Sequence, residues 1–349
     1  MLIFYLLKFI LMMKSSNYVE PLIEYALPTY ILVLPTFVIN QLNLPPTIAF
    51  MIASIPFSGR IVGALFYQYL IKVVGSRITV IASLVSLGIL SAFDGLTSNV
   101  QFLVLSRFLV GVFFGISTSI GVSEAIMSRS RIATGLTMGG WAVGWIGGSI
   151  AYFALHLWEF IAISGLITIP LTLLIRTNFK EREVRFQFPK VLPVLVYFLS
   201  FEPAFALTLA PYVLEELGEN VMLFMVISYS LSLPFYLFGY KLGKYFEYVL
   251  LAIALSSFLF FYFEIPEALL IFTALGLGIN SIAPTIAQRY GANALNSGIA
   301  LNIAAIGGTI IPVVFSQDIK SVAFLTILSM LALLIMDKES RKIGEKIPI

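Results

Sequence analysis

The 349 residues contain no cysteine and a single histidine, His156. The first absence excludes a disulfide framework and a thiol nucleophile. The second excludes a histidine metal cluster and a serine–histidine relay. Charge is scarce too: Asp, Glu, Lys and Arg make up 11% of the chain, where a soluble domain carries roughly a quarter. Apolar residues fill the space, at 59% of the chain and a mean hydropathy of +0.99. A soluble fold of this size must turn many polar side chains outward. The composition therefore excludes a cytoplasmic enzyme, a secreted protein and a disordered chain, and it predicts a surface covered by lipid. A net charge of +3 gives no reason to expect a nucleic-acid partner.

A membrane-spanning helix needs about 20 mostly apolar residues. Polar, glycine or proline breaks fall at 43–46, 72–77, 94–99, 129–131, 156–159, 176–190, 215–219, 241–247, 264–267, 289–293 and 317–320. They predict twelve spans in an all-α membrane protein, with those at 248–263 and 322–336 the shortest. The apolar residues 1–13 are too short to span, and they read as a lead into the first helix. The break at 176–190 is the longest, and it divides the chain into an N-terminal half (1–175), a linker (176–190) and a C-terminal half (191–349). No segment is long enough for a nucleotide-binding domain, so no cofactor is expected.

Charge placement predicts the orientation. With the N-terminus in the cytoplasm, eighteen of the 21 basic residues fall inside. Lys320 is alone outside, and Arg60 and Arg107 lie within spans. This follows the positive-inside rule, with both termini cytoplasmic in a multi-pass protein of the cell membrane. The outer breaks carry acids instead, among them Asp94, Glu159, Glu215 and Glu264. The halves also resemble one another. The first span holds Glu20, Glu24, Pro21, Pro28 and Pro35, and the seventh holds Glu202, Pro193, Pro203 and Pro211. Paired halves of this kind are a transporter pattern.

The fourth span contains Arg107-x-x-x-Gly111-x-x-x-Gly115, and the fifth contains Gly139, Gly140, Gly144, Gly147 and Gly148. Arginine followed by small residues four apart, then a glycine-rich span, resembles the major facilitator superfamily. Phe57-Ser58-Gly59-Arg60-Ile61-Val62-Gly63, then Val74-Gly75-Ser76-Arg77, resembles its metabolite–proton symporter branch. Asn17-Tyr18-Val19-Glu20 resembles the start of that branch's first span, and Glu124 ahead of Arg129 and Arg131 resembles its acid and basic pair after the fourth. The resemblance implies two six-helix bundles, a monomer, and a cytoplasmic gating loop at Gly63, Lys72, Gly75 and Arg77. Lys72 stands where the branch has Asp, Ile61 where it has Pro, and Ile116-Ser117 where it has Gly-Glu. A lysine at 72 cannot form the branch's acid latch.

Ionisable groups at bilayer depth are costly and usually functional. Glu24, Glu202 and Glu20 are the candidate proton-coupling groups. Arg107 and Arg60 are candidate clamps for an anionic substrate, because the guanidinium fork matches a carboxylate. By depth, Glu24, Arg60 and Arg107 can meet. Each has a plainer reading as a member of a static ion pair, and the glycines as close helix packing. Tyr25, Tyr30, Tyr197, Asn280, Asn302 and Trp141 are candidate lining groups. The expected function is secondary transport of a small polar metabolite, a carboxylate or zwitterion, by alternating access and driven by protons. The rival expectations are a proton-coupled exporter of lipophilic compounds and a membrane sensor or scaffold that does not transport.

Overall fold

The structure is a computed structural model, and it describes residues 16–38, 44–176 and 188–345. Residues 1–13 and most of the linker lie outside those ranges. The described residues form helices and no strands. In chain order the helical stretches are α1 (Ser16–Val33), α2 (Pro46–Val74), α3 (Ser76–Leu96), α4 (Val100–Met127), α5 (Arg131–Leu155), α6 (Trp158–Leu174), α7 (Val191–Glu216), α8 (Val221–Leu242), α9 (Gly243–Tyr262), α10 (Ala268–Arg289), α11 (Ala294–Phe315) and α12 (Ser321–Glu345).

Among the described residues, nine of these helices, α2–α4 and α7–α12, are long and apolar enough to cross a membrane. This makes the chain a multi-pass, all-α membrane protein. The other three fall short for visible reasons. Stretch α1 carries Glu20 and Glu24 and two internal prolines. Six glycines and two tryptophans dilute α5, and α6 is brief. Helices α9 and α12, which the sequence makes shortest, are both among the nine. The chain stays helical through Gly243–Tyr245, and α12 runs on past Met336 to Glu345.

The pairing of helices repeats. Helix α1 packs on α4 and α5, α2 on α4, and α3 on α4 and α6. Six helices later α7 packs on α10 and α11, α8 on α10, and α9 on α10 and α12. The two sets meet where α5 lies against α8 and where α2 and α4 lie against α11.

Glycine sets the closest approaches. A Cβ built on Gly111 would fall 2.0 Å from the Pro56 carbonyl oxygen, and one on Gly115 would fall 2.2 Å from that of Arg60. Only hydrogen fits there, so α2 and α4 pack backbone to backbone. On α5, Gly140 and Gly144 admit Tyr25 and Thr29 of α1 in the same way. Outward faces are apolar. On α12 the exposed residues Phe324, Leu328, Leu331 and Ile335 recur at helical spacing and form the stripe that a lipid-facing helix requires.

Candidate functional site

Proline leaves helix α1 with unmatched carbonyls, because it has no N–H to donate back four residues. Pro28 frees the Glu24 carbonyl and Pro35 frees that of Ile31. Helix α4 supplies both donors. Ser117 Oγ donates to the Glu24 carbonyl at 2.8 Å, and Arg107 Nη1 donates to that of Ile31 at 3.1 Å. Arg107 Nη2 adds the Leu32 carbonyl at 2.5 Å, and Nη1 lies 3.5 Å from Asp94 Oδ2. Asp94 belongs to the last turns of α3 and is fully buried. The sequence places it in an outer loop. Its cost of burial is offset by the Arg107 charge, so α3 holds it inside and continues to Leu96.

By depth alone Glu24, Arg60 and Arg107 belong together, but the structure puts them in three settings. Arg107 fastens α1, α3 and α4 as described. Glu24 lies within electrostatic reach of Glu20 and Glu124. Its own carboxyl is buried, and Oε2 has no hydrogen-bond partner. In the second set Glu202 of α7 is also buried. Its Oε1 accepts from Thr326 Oγ1 of α12 at 3.0 Å, while Oε2 has no partner.

Arg60 occupies the junction of the sets. It is 1% exposed and forms no salt bridge among the described residues. Its Nε donates to Asn302 Oδ1 of α11 at 2.7 Å, and its guanidinium carbon sits 4.1 Å from the centre of the Phe114 ring. Asn302 is fully engaged: Oδ1 also accepts from Thr118 Oγ1 at 3.3 Å, and Nδ2 donates to Ser119 Oγ and the Gly298 carbonyl, both at 2.9 Å. Its amide oxygen therefore has to face Arg60. The Tyr25 hydroxyl lies beside the guanidinium, and Nη2 makes no close, well-aligned hydrogen bond.

Around Arg60 lies a group of buried polar side chains that make no close, well-aligned hydrogen bond and pair loosely with one another, Tyr25 with Arg60, Tyr197 with Ser297, Tyr229 with Trp141 and Tyr236 with Asn280. It comprises Tyr25, Trp141, Tyr197, Tyr229, Tyr236, Asn280 and Ser297. They are electrostatic neighbours of one another: Tyr25 with Arg60, Tyr197 with Tyr25 and Ser297, Tyr236 with Tyr25 and Asn280, and Tyr229 with Tyr236 and Trp141. Seven different elements contribute to one place. The indoles of Trp141 and Trp145 and the ring of Tyr229 wall it, with Trp145 and Tyr229 stacked at 5.1 Å and 10°. Buried polar groups are nearly always satisfied in folded proteins, so this loosely paired cluster is the candidate site.

Comparison with protein-family models and with curated proteins finds no match.

Of the residues expected at the site, Tyr25, Tyr197, Asn280, Trp141 and Arg60 come together. Asn302 orients Arg60. Tyr30 stands apart, its hydroxyl paired with that of Ser164 on α6. Gly63 is a packing residue against the Val112 carbonyl. Gly75 turns the chain between α2 and α3 at φ +87°, while Lys72 and Arg77 beside it are exposed and form no salt bridge among the described residues. Tyr229 and Tyr236 are not among the expected residues. Their separation of seven, two helical turns on one face of α8, is the signal that points to them.

Proposed function

We propose that this chain is a secondary active transporter of the major facilitator type. In this reading twelve helices cross the cell membrane, and both termini are cytoplasmic. Two six-helix halves, α1–α6 and α7–α12, rock about a central site and expose it to one side at a time. The substrate is a small polar metabolite bearing a carboxylate, free or zwitterionic. Arg60 carries this reading. A buried guanidinium with no carboxylate in ion-pair reach among the described residues is an uncompensated charge, and a substrate anion completes it. The repeated helix pairing supports two halves, and the contacts of α2 and α5 with α11 and α8 support a hinge between them.

In the same reading, protons drive uptake through a buried carboxyl. Glu24, with Glu20 and Glu124 close by, is the first candidate, and Glu202 is the second. Carboxyls in electrostatic contact change their protonation together, which suits a group that must release a proton when the site changes sides.

The test is uptake into sealed proteoliposomes under an imposed proton gradient, with labelled dicarboxylates, amino acids, betaine, sugars, phosphate and a lipophilic cation. Accumulation of a carboxylate or zwitterion supports the proposal, and movement of neutral sugars alone overturns its anionic part. The stacked Trp145 and Tyr229 favour a second reading, export of flat lipophilic compounds. That reading requires the lipophilic cation to compete with the carboxylate.

A further inference from the structure

At the end of the bundle where α4 turns into α5 and α12 finishes, a cavity of about 510 Å³ opens between the two sets of helices. Four guanidinium groups line it: Arg129 and Arg131 from the α4–α5 turn, Arg289 from the last turn of α10, and Arg341 from α12. Among the described residues Asp337 is the one carboxylate on that wall, and two of the arginines already share it. Arg341 Nε donates to Asp337 Oδ2 at 2.8 Å, and Arg289 Nη1 lies 3.3 Å from Oδ1. Guanidinium groups from both sets of helices thus line a single space.

Three further features point inward to the same space. Arg131 is the first residue of α5, where the helix dipole is already positive and a cation is unfavourable. Arg129 holds φ +54°, a left-handed backbone that side-chain-bearing residues rarely adopt, and observed strain of this kind gathers at functional positions. Tyr236 also lines the cavity. It is 1% exposed, with Asn280 beside its hydroxyl.

We propose that this cavity binds a phosphate group, carried either by a free phosphate or by the headgroup of an anionic phospholipid. The guanidinium forks and the α5 N-terminus match the oxygens of a phosphate. Tyr236 lines the same cavity. Because Arg129 and Arg131 belong to the first set and Arg289 and Arg341 to the second, the bound group ties the sets together and holds this end in the present arrangement. The proposal does not depend on the transport reading.

The test is thermal unfolding of the whole chain in detergent, titrated with sodium phosphate against sodium chloride at equal ionic strength. It is repeated in nanodiscs of phosphatidylcholine with and without phosphatidylglycerol. Wild type is compared with Arg129→Gln, Arg131→Gln, Arg60→Gln and Lys320→Gln. The expected result is a melting temperature raised by phosphate or by phosphatidylglycerol but not by chloride. The midpoint of that effect weakens about tenfold or more in Arg129→Gln and Arg131→Gln, as loss of a charge-assisted hydrogen bond predicts, and stays unchanged in Arg60→Gln and Lys320→Gln. Response to phosphate identifies the free ion, and response to phosphatidylglycerol alone identifies the lipid. Equal responses in all variants, loss of response in Arg60→Gln, an effect that chloride reproduces, or no effect of either source overturns the proposal. Two single arginine variants at the rim keep the test valid if one of them fails to fold.

Discussion

Arg60 and Asn302 lock together across the junction of the two helix sets, Nε to Oδ1 at 2.7 Å. Every other polar atom of the Asn302 side chain is committed to α4 or to its own helix, so the asparagine cannot turn away. The guanidinium is thereby held beside the Tyr25 hydroxyl and over Phe114, a placement that favours cation over ring. In the proposed transporter Asn302 acts on the substrate only through Arg60.

Asn302→Ala therefore loosens Arg60 without removing its charge. The expected outcome is a rise in the apparent KM for the transported anion of about tenfold, the worth of one hydrogen bond to a charged group, with little change in maximal rate. Initial rates of uptake across a range of substrate concentrations check it.

The Asp94–Arg107 pair predicts an asymmetric pattern of stability. Asp94→Asn or Arg107→Gln leaves one buried charge without its partner, at a cost of about 3–5 kcal/mol, and lowers the melting temperature. Replacing both with apolar residues of similar size, Asp94→Leu with Arg107→Met, recovers part of that loss but not all of it. The Ile31 and Leu32 carbonyls then lose their donor, at about 1–3 kcal/mol for each group left unsatisfied. Thermal unfolding of the three variants in one detergent checks the order.

Glycine at 115 and at 243 should respond in opposite ways. Gly115→Ala drives a methyl group to 2.2 Å from the Arg60 carbonyl, so α2 must move. Overpacking of this kind costs about 1–3 kcal/mol, and it displaces Arg60 as well, so both stability and uptake fall. Gly243→Ala meets nothing within 4 Å and keeps a helical backbone. It gains about 1 kcal/mol of helix propensity at most. Melting temperature and uptake, measured side by side, check the contrast.

Much of this is legible in the sequence, and the limits have physical causes. The apolar runs between polar breaks locate the helices, because a membrane helix must be long and apolar. They mislead where polarity and helix ends part company. Lys241 and Lys244 read as a loop, and the chain there passes from α8 to α9 through a short 3₁₀ turn, Gly243–Tyr245, with both side chains over aromatic rings. Asp94 reads as solvent-facing because nothing local reveals that Arg107, on the next helix, meets it. Pro28 and Pro35 announce free carbonyls in α1, but only the fold names Ser117 and Arg107 as their donors. Tyr229 and Tyr236 disappear in an apolar run because tyrosine is as common in packing as in recognition. Their importance comes from the buried polar groups the fold gathers around them, Trp141 and Asn280 among them, which no sequence displays.

Glu24→Gln keeps the shape of the buried carboxyl and removes its titration. The expected outcome is loss of gradient-driven accumulation, while exchange of labelled for unlabelled substrate across the bilayer continues. Glu202→Gln, which retains an acceptor for Thr326 Oγ1, is expected to accumulate substrate near the wild-type level. Accumulation and exchange measured on the same vesicles separate coupling from binding.

The most direct test of the central claim is substrate exchange in sealed vesicles by wild type and by Arg60→Gln, with the carboxylate or zwitterion that wild type accumulates and with a neutral analogue of the same size. Exchange needs no proton gradient, so it reads the binding site alone. The account predicts that Arg60→Gln, folded and present at the wild-type level, loses exchange of the anion by at least tenfold and narrows the preference for it over the neutral analogue. Exchange of the anion at the wild-type rate in Arg60→Gln would contradict it, and would place the substrate away from the junction of the two helix sets.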